Sequence, residues 1–223
     1  MAERVAQRIT DAGLVAIVRA DDVGVDALVA AAGALLAGGV TVMEITLNTP
    51  GALAAIEVIR GRHPRMLCGA GTVLDARDAR AAISAGAQFV ITPTLARGTI
   101  ETCRRYDVPV SAGCASPAEA LAAVAAGAEF VKVFPATRFG LTHMREALDE
   151  MPTLRLIPTG GVTPANCGEY FAIGCAAVAV GSNLVGKQVL ATEDWGAIER
   201  AARAFVGAVR ATRTRTDGLG GQE

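Results

Sequence analysis

Eight short apolar runs, separated by stretches with helical spacing, constrain the fold of this chain more than any other feature of its sequence. The runs are rich in valine and isoleucine and almost continuously hydrophobic, which is typical of parallel strands buried on both faces. They span residues 14–19, 40–47, 66–70, 88–92, 108–112, 129–134, 154–159 and 176–181. Eight strands that alternate with helices predict an α/β fold, a single (β/α)8 TIM barrel.

The segments around the predicted strands support this assignment. A-G-A-Q-F-V at 85–90 recurs as A-G-A-E-F-V at 126–131, a spacing that suits two βα units. The alternative, a doubly wound open sheet, would more often carry a glycine-rich turn after its first strand, but Arg19, Ala20 and Asp21 stand there. We therefore predict one domain over residues 1–211, which begins with a helix over residues 2–12, and a polar, disordered tail over residues 212–223.

The composition excludes several classes of protein. The 223 residues are 52% hydrophobic, and 21 basic and 22 acidic side chains leave a net charge of −1. A charge balance this even lacks the excess of basic residues that is typical of proteins that bind nucleic acid or an anionic membrane surface. No apolar run approaches the roughly 20 residues of a transmembrane helix, and the N-terminal residues lack the pattern of a signal peptide, so a cytoplasmic location is expected.

Cysteine and histidine usage argues against a disulfide framework and against a metal site. The five cysteines are an odd number, and no two of them have C-x-x-C spacing. His63 and His143 are too few for a metal-dependent mechanism that rests on several imidazole ligands. The sequence therefore predicts neither a bound metal nor a separate cofactor.

Two charged residues lie inside apolar strands. Lys132 interrupts F-V-K-V-F-P-A at 130–136, and Glu44 interrupts V-M-E-I-T-L at 42–47. A buried amine that loses its proton can attack a carbonyl and form a Schiff base, and a buried carboxyl can act as a general acid or base. The alternative is structural, because an ion pair of Glu44 with Lys132 or with Arg19 would also satisfy these charges.

Glycines and small polar residues follow three further strands. The third strand ends in G-A-G-T-V-L at 69–74, where Thr72 offers a hydroxyl and an N–H to a carboxylate. The seventh and eighth strands end in P-T-G-G-V-T-P at 158–164 and A-V-G-S-N-L at 179–184. Backbone N–H groups at these two positions of a barrel recur as a phosphate site, formed here by Gly160, Gly161, Gly181 and Ser182. Ordinary strand-to-helix turns are the alternative interpretation of both sets of glycines.

Together these segments resemble the bacterial 2-keto-3-deoxy-6-phosphogluconate (KDPG) aldolases and their bifunctional 4-hydroxy-2-oxoglutarate (KHG) aldolase relatives. The similarity covers about residues 14–205 and rests on E-I-T-L, G-A-G-T-V-L, F-V-K-V-F-P-A, P-T-G-G-V-T-P-A-N and G-S. The resemblance implies a homotrimer of (β/α)8 barrels and a metal-free class I mechanism, in which Lys132 forms the Schiff base and Glu44 transfers protons. The substrate contacts that it implies are Arg19, Asn48, Thr72, Pro93, Phe134, Thr159, Gly160, Gly161, Gly181 and Ser182.

Asn48 stands where gluconate-type members of this family commonly carry an arginine. An asparagine cannot replace the bidentate contact of a guanidinium group. In this respect the chain resembles the related 2-keto-3-deoxy-6-phosphogalactonate (KDPGal) aldolases, although Thr46 stands where those enzymes usually have proline. The departure leaves the substrate configuration at C4 open, but not the type of reaction.

The expected reaction is the cleavage of KDPG to pyruvate and glyceraldehyde 3-phosphate, with KHG, which gives glyoxylate, as a further candidate substrate. One alternative is a KDPGal aldolase. Another is a phosphosugar epimerase or isomerase on the same barrel, which would share the phosphate glycines but would not need a lysine inside the sixth strand. A phosphosugar sensor without catalysis is the non-enzymatic alternative, and the presence of both Lys132 and Glu44 argues against it.

Overall fold

The structure, a computed structural model, describes the backbone of residues 1–219 and the side chains of residues 1–212. Its strands are β1 (Leu14–Val18), β2 (Val42–Thr46), β3 (Leu67–Gly71), β4 (Val90–Ile91), β5 (Val110–Cys114), β6 (Phe130–Val133), β7 (Leu156–Pro158) and β8 (Val178–Val180). All pairs are parallel, in the order β7-β6-β5-β4-β3-β2-β1-β8. A parallel bridge between Thr159 and Ala179 joins the two end strands and closes the sheet. The predicted (β/α)8 barrel is confirmed.

Helices connect the strands and surround the barrel. They are α1 (Ala2–Ala12), α2 (Val25–Ala37), α3 (Ala52–Arg62), α4 (Ala76–Ser84), α5 (Arg97–Arg105), α6 (Pro117–Ala126), α7 (Ala136–Glu150), α8 (Cys167–Ala172), α9 (Lys187–Ala191) and α10 (Trp195–Leu219). Helix α1, at the predicted position, covers one end of the barrel, because Val5, Ala6 and Ile9 pack in the same apolar cluster as Phe89 and Phe130. Within residues 1–219, no helix has both the length and the apolar character needed to cross a membrane.

Strand side chains alternate between the barrel interior and the surrounding helices, with the two-residue period of a β-strand. In β6, Val131 and Val133 belong to the apolar cluster shared with the helices, whereas Phe130 belongs to the cluster inside the barrel. Lys132 follows Phe130 by two residues and therefore faces the interior. The same period places Glu44 of β2 inside, because both of its neighbours in sequence pack against the helices.

Several strands are shorter than the sequence predicts. β2 occupies 42–46 of the predicted 40–47, β4 occupies 90–91 of the predicted 88–92, and β5 begins two residues later than predicted. The apolar runs extend beyond the paired segments because flanking residues such as Val40 are also buried in the core. Hydrophobicity alone therefore overestimates the length of the hydrogen-bonded ladder.

The C-terminal end differs from the disordered tail predicted over residues 212–223. Helix α10 continues to Leu219. Thr212 is buried, and its hydroxyl donates a hydrogen bond to the carbonyl oxygen of Ala208 at 3.0 Å. Gly168 of α8 makes room for this residue, since a Cβ there would lie 2.9 Å from Thr212 Oγ1. The chain is helical at Thr212 because it packs against α8; residues 220–223 of the predicted tail lie outside the described residues.

Candidate active site

A cavity of about 490 Å³ opens at the carboxyl ends of the strands, where active sites of this fold lie. The predicted site residues that line it are Arg19, Thr72, Pro93, Lys132, Phe134, Thr159, Gly160, Gly161, Gly181 and Ser182. We call Lys132, which lines the cavity, and Glu44, which is buried in the barrel interior and is not one of the lining residues, the cavity floor. We call Gly160, Gly161, Gly181 and Ser182 the glycine rim. The fold thus brings together nearly all of the residues that the sequence singled out, from six different strand ends.

Lys132 lies within β6 and is 8% exposed. Its neighbours across the sheet are Gly113 of β5 and Ile157 of β7. A Cβ on Gly113 would lie 2.2 Å from the carbonyl oxygen of Pro93, so this glycine allows the loop after β4 to approach and brings Pro93 to the cavity. Lys132 Nζ lies 5.5 Å from the centre of the Phe134 ring, within the range of cation–π attraction. Lys132 is thus held at the cavity on a packed strand, with the partly exposed Phe134 ring beside its amine.

Glu44 lies on the inner face of β2 and is 1% exposed. Gly71 of β3 leaves the space for its carboxyl group, because a Cβ on Gly71 would lie 2.4 Å from Glu44 Cδ. Among the described residues, Glu44 Oε2 has no hydrogen-bond partner. Burial raises the pKa of this carboxyl above its ordinary value, against the opposing effect of the positive charges of Lys132 and Arg19. A buried carboxyl with a raised pKa is a suitable proton carrier.

The structural alternative for these charges, an ion pair with Glu44, is not formed. The ion pairs found among the described residues do not include one that joins Glu44 to Lys132 or to Arg19. Instead, Arg19 Nη2 donates a hydrogen bond to Thr72 Oγ1 at 3.1 Å. Thr72 has φ +54°, a left-handed conformation that is unfavourable for a β-branched residue and that often occurs at functional sites. The floor therefore contains an amine and a carboxyl that act on each other through their charges without direct pairing.

The glycine rim is formed by the loops after β7 and β8. Gly160 and Gly161 have φ +91° and +74°, and a Cβ on Gly161 would lie 2.1 Å from Thr137 Cγ2. The side-chain amide of Asn166 donates a hydrogen bond to the carbonyl oxygen of Gly161 at 3.0 Å, which fixes the loop. Among the described residues, no hydrogen bond is found from the backbone N–H groups of Gly161 and Ser182 to another part of the protein. Such N–H groups at a cavity are suited to bind an anion.

Two polar residues of the cavity, Asn183 and Lys187, are not among the predicted site residues. Asn183 Nδ2 donates a hydrogen bond to the carbonyl oxygen of Val162 at 2.8 Å and so ties the loop after β8 to the loop after β7. Lys187, the first residue of α9, forms an ion pair with Asp21 in the loop after β1. A signal was present, because Lys187 is one of two lysines in the chain and follows Ser182 by five residues.

Asn48 does not line the cavity, although the resemblance implied a substrate contact there. It is exposed in the turn after β2, in a separate surface depression formed by residues 47–54. Thr49 sets this turn: its hydroxyl accepts a hydrogen bond from the Ala20 N–H at 3.2 Å and lies 3.1 Å from Thr46 Oγ1. These contacts hold Thr49, rather than Asn48, against the end of the barrel.

The cysteines and acidic residues do not form a second reactive centre. All five cysteines are buried and unbridged. Burial raises the pKa of Cys68, Cys103 and Cys175 to about 12, so these thiols remain protonated at neutral pH. In the described residues, no three His, Cys, Asp or Glu side chains are grouped so that they could hold a metal ion.

Comparison with known sequences agrees with this arrangement of residues. A family model described as KDPG and KHG aldolase matches residues 5–201. The chain is 38% identical over 173 residues to the 2-dehydro-3-deoxy-phosphogluconate aldolase of Pseudomonas aeruginosa, which covers 77% of this chain and 79% of that protein. It is 34% identical over 173 residues to the 2-dehydro-3-deoxy-6-phosphogalactonate aldolase of Escherichia coli, covering 77% of this chain and 83% of that protein.

A solved structure shows the same similarity in three dimensions. The KDPG aldolase of Legionella pneumophila, with pyruvate captured at low pH as a covalent carbinolamine intermediate, matches with a TM-score of 0.83 at 29% identity. The match covers 90% of this chain and 97% of that chain. The family model spans nearly the whole barrel, and the relatives exceed 30% identity over most of their length. This chain therefore belongs to the KDPG and KHG aldolase family.

Proposed function

We propose that this protein is a class I aldolase that cleaves a 2-keto-3-deoxy-6-phospho sugar acid, with KDPG as the first candidate, to pyruvate and glyceraldehyde 3-phosphate. The observation that carries the proposal is Lys132, a buried lysine on the inner face of β6 that reaches an open cavity and acts electrostatically on Glu44. Membership of the aldolase family supports the same reaction. The mechanism uses no separate cofactor, because the Schiff base itself serves as the electron sink.

In the proposed reaction, the Lys132 amine attacks the C2 ketone of the substrate, and Glu44 supplies the proton with which the carbinolamine loses water. The product is a protonated imine. Glu44, through a water molecule, then removes the proton of the C4 hydroxyl. The C3–C4 bond breaks, its electron pair moves into the imine to give an enamine, and the aldehyde leaves. Protonation of C3 and hydrolysis release pyruvate and regenerate the amine.

The remaining cavity residues bind the two halves of the substrate. We assign Thr72 and Thr159 to the pyruvate half, with Arg19, which Thr72 holds through its hydroxyl, as a further contact for the carboxylate. Phe134 packs beside the imine and Pro93 forms the wall of the site at the end of β4. The phosphate group binds at the glycine rim, where the N–H groups of Gly161 and Ser182 are available as donors.

A second candidate substrate is the galactonate-type isomer, KDPGal. The observation that favours it is Asn48, which stands where gluconate-type members commonly carry an arginine and which, outside the cavity, does not replace the contact of that arginine. A 2-dehydro-3-deoxy-6-phosphogalactonate aldolase is also among the relatives. The two candidates share every proposed chemical step and differ only in the configuration at C4.

Steady-state assays with purified protein test the proposal. Pyruvate release, coupled to lactate dehydrogenase, is measured with KDPG, KDPGal and KHG, before and after treatment with EDTA. We expect pyruvate from KDPG with the highest kcat/KM of the three and no loss after EDTA. A higher kcat/KM for KDPGal would select the second candidate. Interconversion of phosphosugars without pyruvate, as in an epimerase, or binding without turnover, as in a sensor, would contradict both.

We further propose that the protein assembles as a homotrimer, as the family resemblance implies. Apolar side chains exposed outside the site, such as Leu74 (62%) and Leu121 (55%), offer surface for contacts between copies. Sedimentation equilibrium is expected to give three times the chain mass of 22.8 kDa. A concentration-independent monomer mass would contradict the trimer without affecting the proposed reaction.

A further inference from the structure

Lys187 and Asp21 form an ion pair at the mouth of the cavity that the proposed mechanism does not use. Both side chains are exposed, at 60% and 72%. Lys187 lines the cavity together with the glycine rim, whereas Asp21 does not line it. The pair joins the start of α9 to the loop after β1, across the part of the barrel where β8 pairs with β1. The cavity therefore has a charged residue on its phosphate side that still lacks a role.

The loop between Ser182 and Lys187 is compact, which fixes the lysine close to the glycine rim. Two successive N–H groups of this loop donate hydrogen bonds to the carbonyl oxygen of Gly181, at 2.8 Å each. A Cβ on Gly186 would lie 3.3 Å from the carbonyl oxygen of Ser182, so the chain turns back on itself immediately before Lys187. The first residue of α9 is thus held beside the residue that ends the rim.

The three cations of the cavity are placed differently. Of the described residues that line it, Arg19, Lys132 and Lys187 carry positive charge and none carries negative charge. Lys132 and Arg19 both act on the charge of Glu44, and Arg19 is also hydrogen-bonded to Thr72, so both cations are already engaged by other residues of the site. Lys187 is the remaining cation and stands at the rim. A phosphate dianion at the rim would find neutral N–H donors there and one formal positive charge, that of Lys187.

We propose that Lys187 is a specificity-determining residue that binds the phosphate group of the substrate, and that Asp21 holds it while the site is empty. The inference rests on the proposed function, since it names the side chain that recognises the phosphorylated end of that substrate. The phosphate group carries more negative charge than a carboxylate and has three acceptor oxygens, so it competes well for the ammonium group. Because the ion pair with Asp21 is exposed to solvent, little is lost when it opens.

A purely structural role is the alternative, in which the ion pair only tethers the two loops. The two roles differ in the sign of the effect of Asp21. As a competitor of phosphate, Asp21 weakens binding, and its removal strengthens the binding of phosphorylated substrate. As a tether, it positions Lys187, and its removal weakens that binding.

The test compares KDPG with KHG, which has no phosphate, in Lys187→Ala, Lys187→Arg, Asp21→Asn and Arg105→Ala. The last variant is the matched control, because it removes a comparably exposed cation that pairs with Glu101 on α5 and does not line the cavity. Lys187→Ala is expected to raise KM for KDPG by about ten- to a hundredfold, as for a lost hydrogen bond to a charged group, with a small change in kcat. KM for KHG is expected to change much less.

Lys187→Arg and Asp21→Asn test separately the charge of Lys187 and the competition by Asp21. Lys187→Arg is expected to keep most of the affinity for KDPG, because it keeps the charge. Asp21→Asn is expected to lower KM for KDPG by about two- to fivefold, the range of an exposed ion pair. Equal losses with both substrates in Lys187→Ala, no loss at all, or a higher KM for KDPG in Asp21→Asn would each overturn the inference.

Inorganic phosphate provides a probe that is independent of the phosphorylated substrate. It is expected to inhibit KHG cleavage competitively, with an inhibition constant that rises about tenfold or more in Lys187→Ala. An inhibition constant that is the same in both proteins would contradict the assignment.

Trapping of the pyruvate imine on Lys132 separates a failure of this inference from a failure of the proposed function. If Lys187→Ala still forms the imine and its KM for KDPG is unchanged, the inference alone fails. If the unsubstituted protein forms no imine, the proposed function fails. Binding of inorganic phosphate, followed by phosphorus NMR in the unsubstituted protein and in Lys187→Ala, then decides whether Lys187 binds this anion.

Discussion

The floor of the cavity and its glycine rim are built in opposite ways. The floor carries its reactive groups on strands: Glu44 in β2 and Lys132 in β6 are buried, and each strand is paired on both sides. The rim lies on loops, where Gly160 and Gly161 adopt positive φ and the adjacent Lys187 is exposed to solvent. The groups of the floor are therefore fixed by the barrel itself, and those of the rim only by local turns.

The difference separates the type of reaction from the choice of substrate. Burial raises the pKa of Glu44. A carboxyl group in a solvent-exposed loop would not undergo this shift. Loops, by contrast, can change in sequence without disturbing the packed strands below them. Substitutions at the floor are therefore expected to change kcat, and substitutions at the rim to change KM for phosphorylated substrates.

The largest expected effect is the loss of the Schiff-base amine. Lys132→Ala is expected to lower kcat for pyruvate release by at least about a thousandfold, because the reaction has lost its nucleophile. Lys132→Arg is the matched variant, since it keeps a positive charge beside Glu44 but cannot form an imine. Both are measured in the coupled assay, with circular dichroism to establish that the barrel is folded. Substantial turnover by Lys132→Arg would contradict the role of the amine as nucleophile.

The next largest effect is expected when the carboxyl group of Glu44 is displaced. In Gly71→Ala the new methyl group would lie 2.4 Å from Glu44 Cδ, so the carboxyl must move. We expect kcat to fall by about a hundredfold, as for a displaced acid–base group, with a smaller change in KM. Gly61→Ala in α3 is the control, because a Cβ there meets nothing within 4 Å. Equal kcat values in the two variants would show that the position of Glu44 does not limit the reaction.

A smaller effect is expected at the rim. Ser182→Asp places a negative charge where the phosphate group binds and is expected to raise KM for KDPG by about tenfold through like-charge repulsion. KM for KHG, measured in the same assay, is expected to change much less because that substrate carries no phosphate. Equal increases for both substrates would show that the rim does not distinguish the phosphorylated end, and the contrast between floor and rim would fail.

The smallest expected effect concerns stability. A carboxyl whose pKa is higher in the folded than in the unfolded state contributes stability fully below its ordinary pKa of 4.5, and this contribution is lost as pH rises through the folded pKa. Glu44→Gln removes this titration. Above pH 4.5, the unsubstituted protein is therefore expected to lose stability that Glu44→Gln keeps. The difference in the free energy of unfolding, variant minus unsubstituted protein, then rises with pH, by about 1.4 kcal/mol in total for each unit by which the folded pKa of Glu44 exceeds its unfolded pKa. Urea unfolding between pH 4 and pH 8 measures it, and the opposite trend would contradict the raised pKa.

The floor could be predicted from the sequence because burial leaves a clear signal there. Lys132 and Glu44 each interrupt an apolar run. The two-residue period of a strand leaves two possible faces, and the packing of the neighbouring residues identifies the inner one. The glycines of the rim could also be predicted, since each follows a strand end. The rarity of lysine singles out Lys187, but its contact with Asp21 could not be predicted, because it joins segments 166 residues apart that meet only when the barrel closes.

Local geometry accounts for the remaining differences. The turn after β2 is set by hydrogen bonds of the Thr49 hydroxyl, and Asn48, which the family resemblance implies as a substrate contact, lies in that turn outside the cavity. At the C-terminal end, the polar composition after residue 211 predicted disorder, whereas the packing of Thr212 against Gly168 continues the helix. In both cases a specific contact between distant residues outweighs the local pattern.

Borohydride trapping shows whether Lys132 of the cavity floor forms the Schiff base. The protein is incubated with pyruvate and sodium borohydride, and the adduct is located by intact mass and peptide mapping. One stable pyruvate adduct is expected, on the peptide that contains Lys132, and none in Lys132→Ala. An adduct on Lys187 that persists in Lys132→Ala, or the absence of any adduct in folded protein, would contradict it.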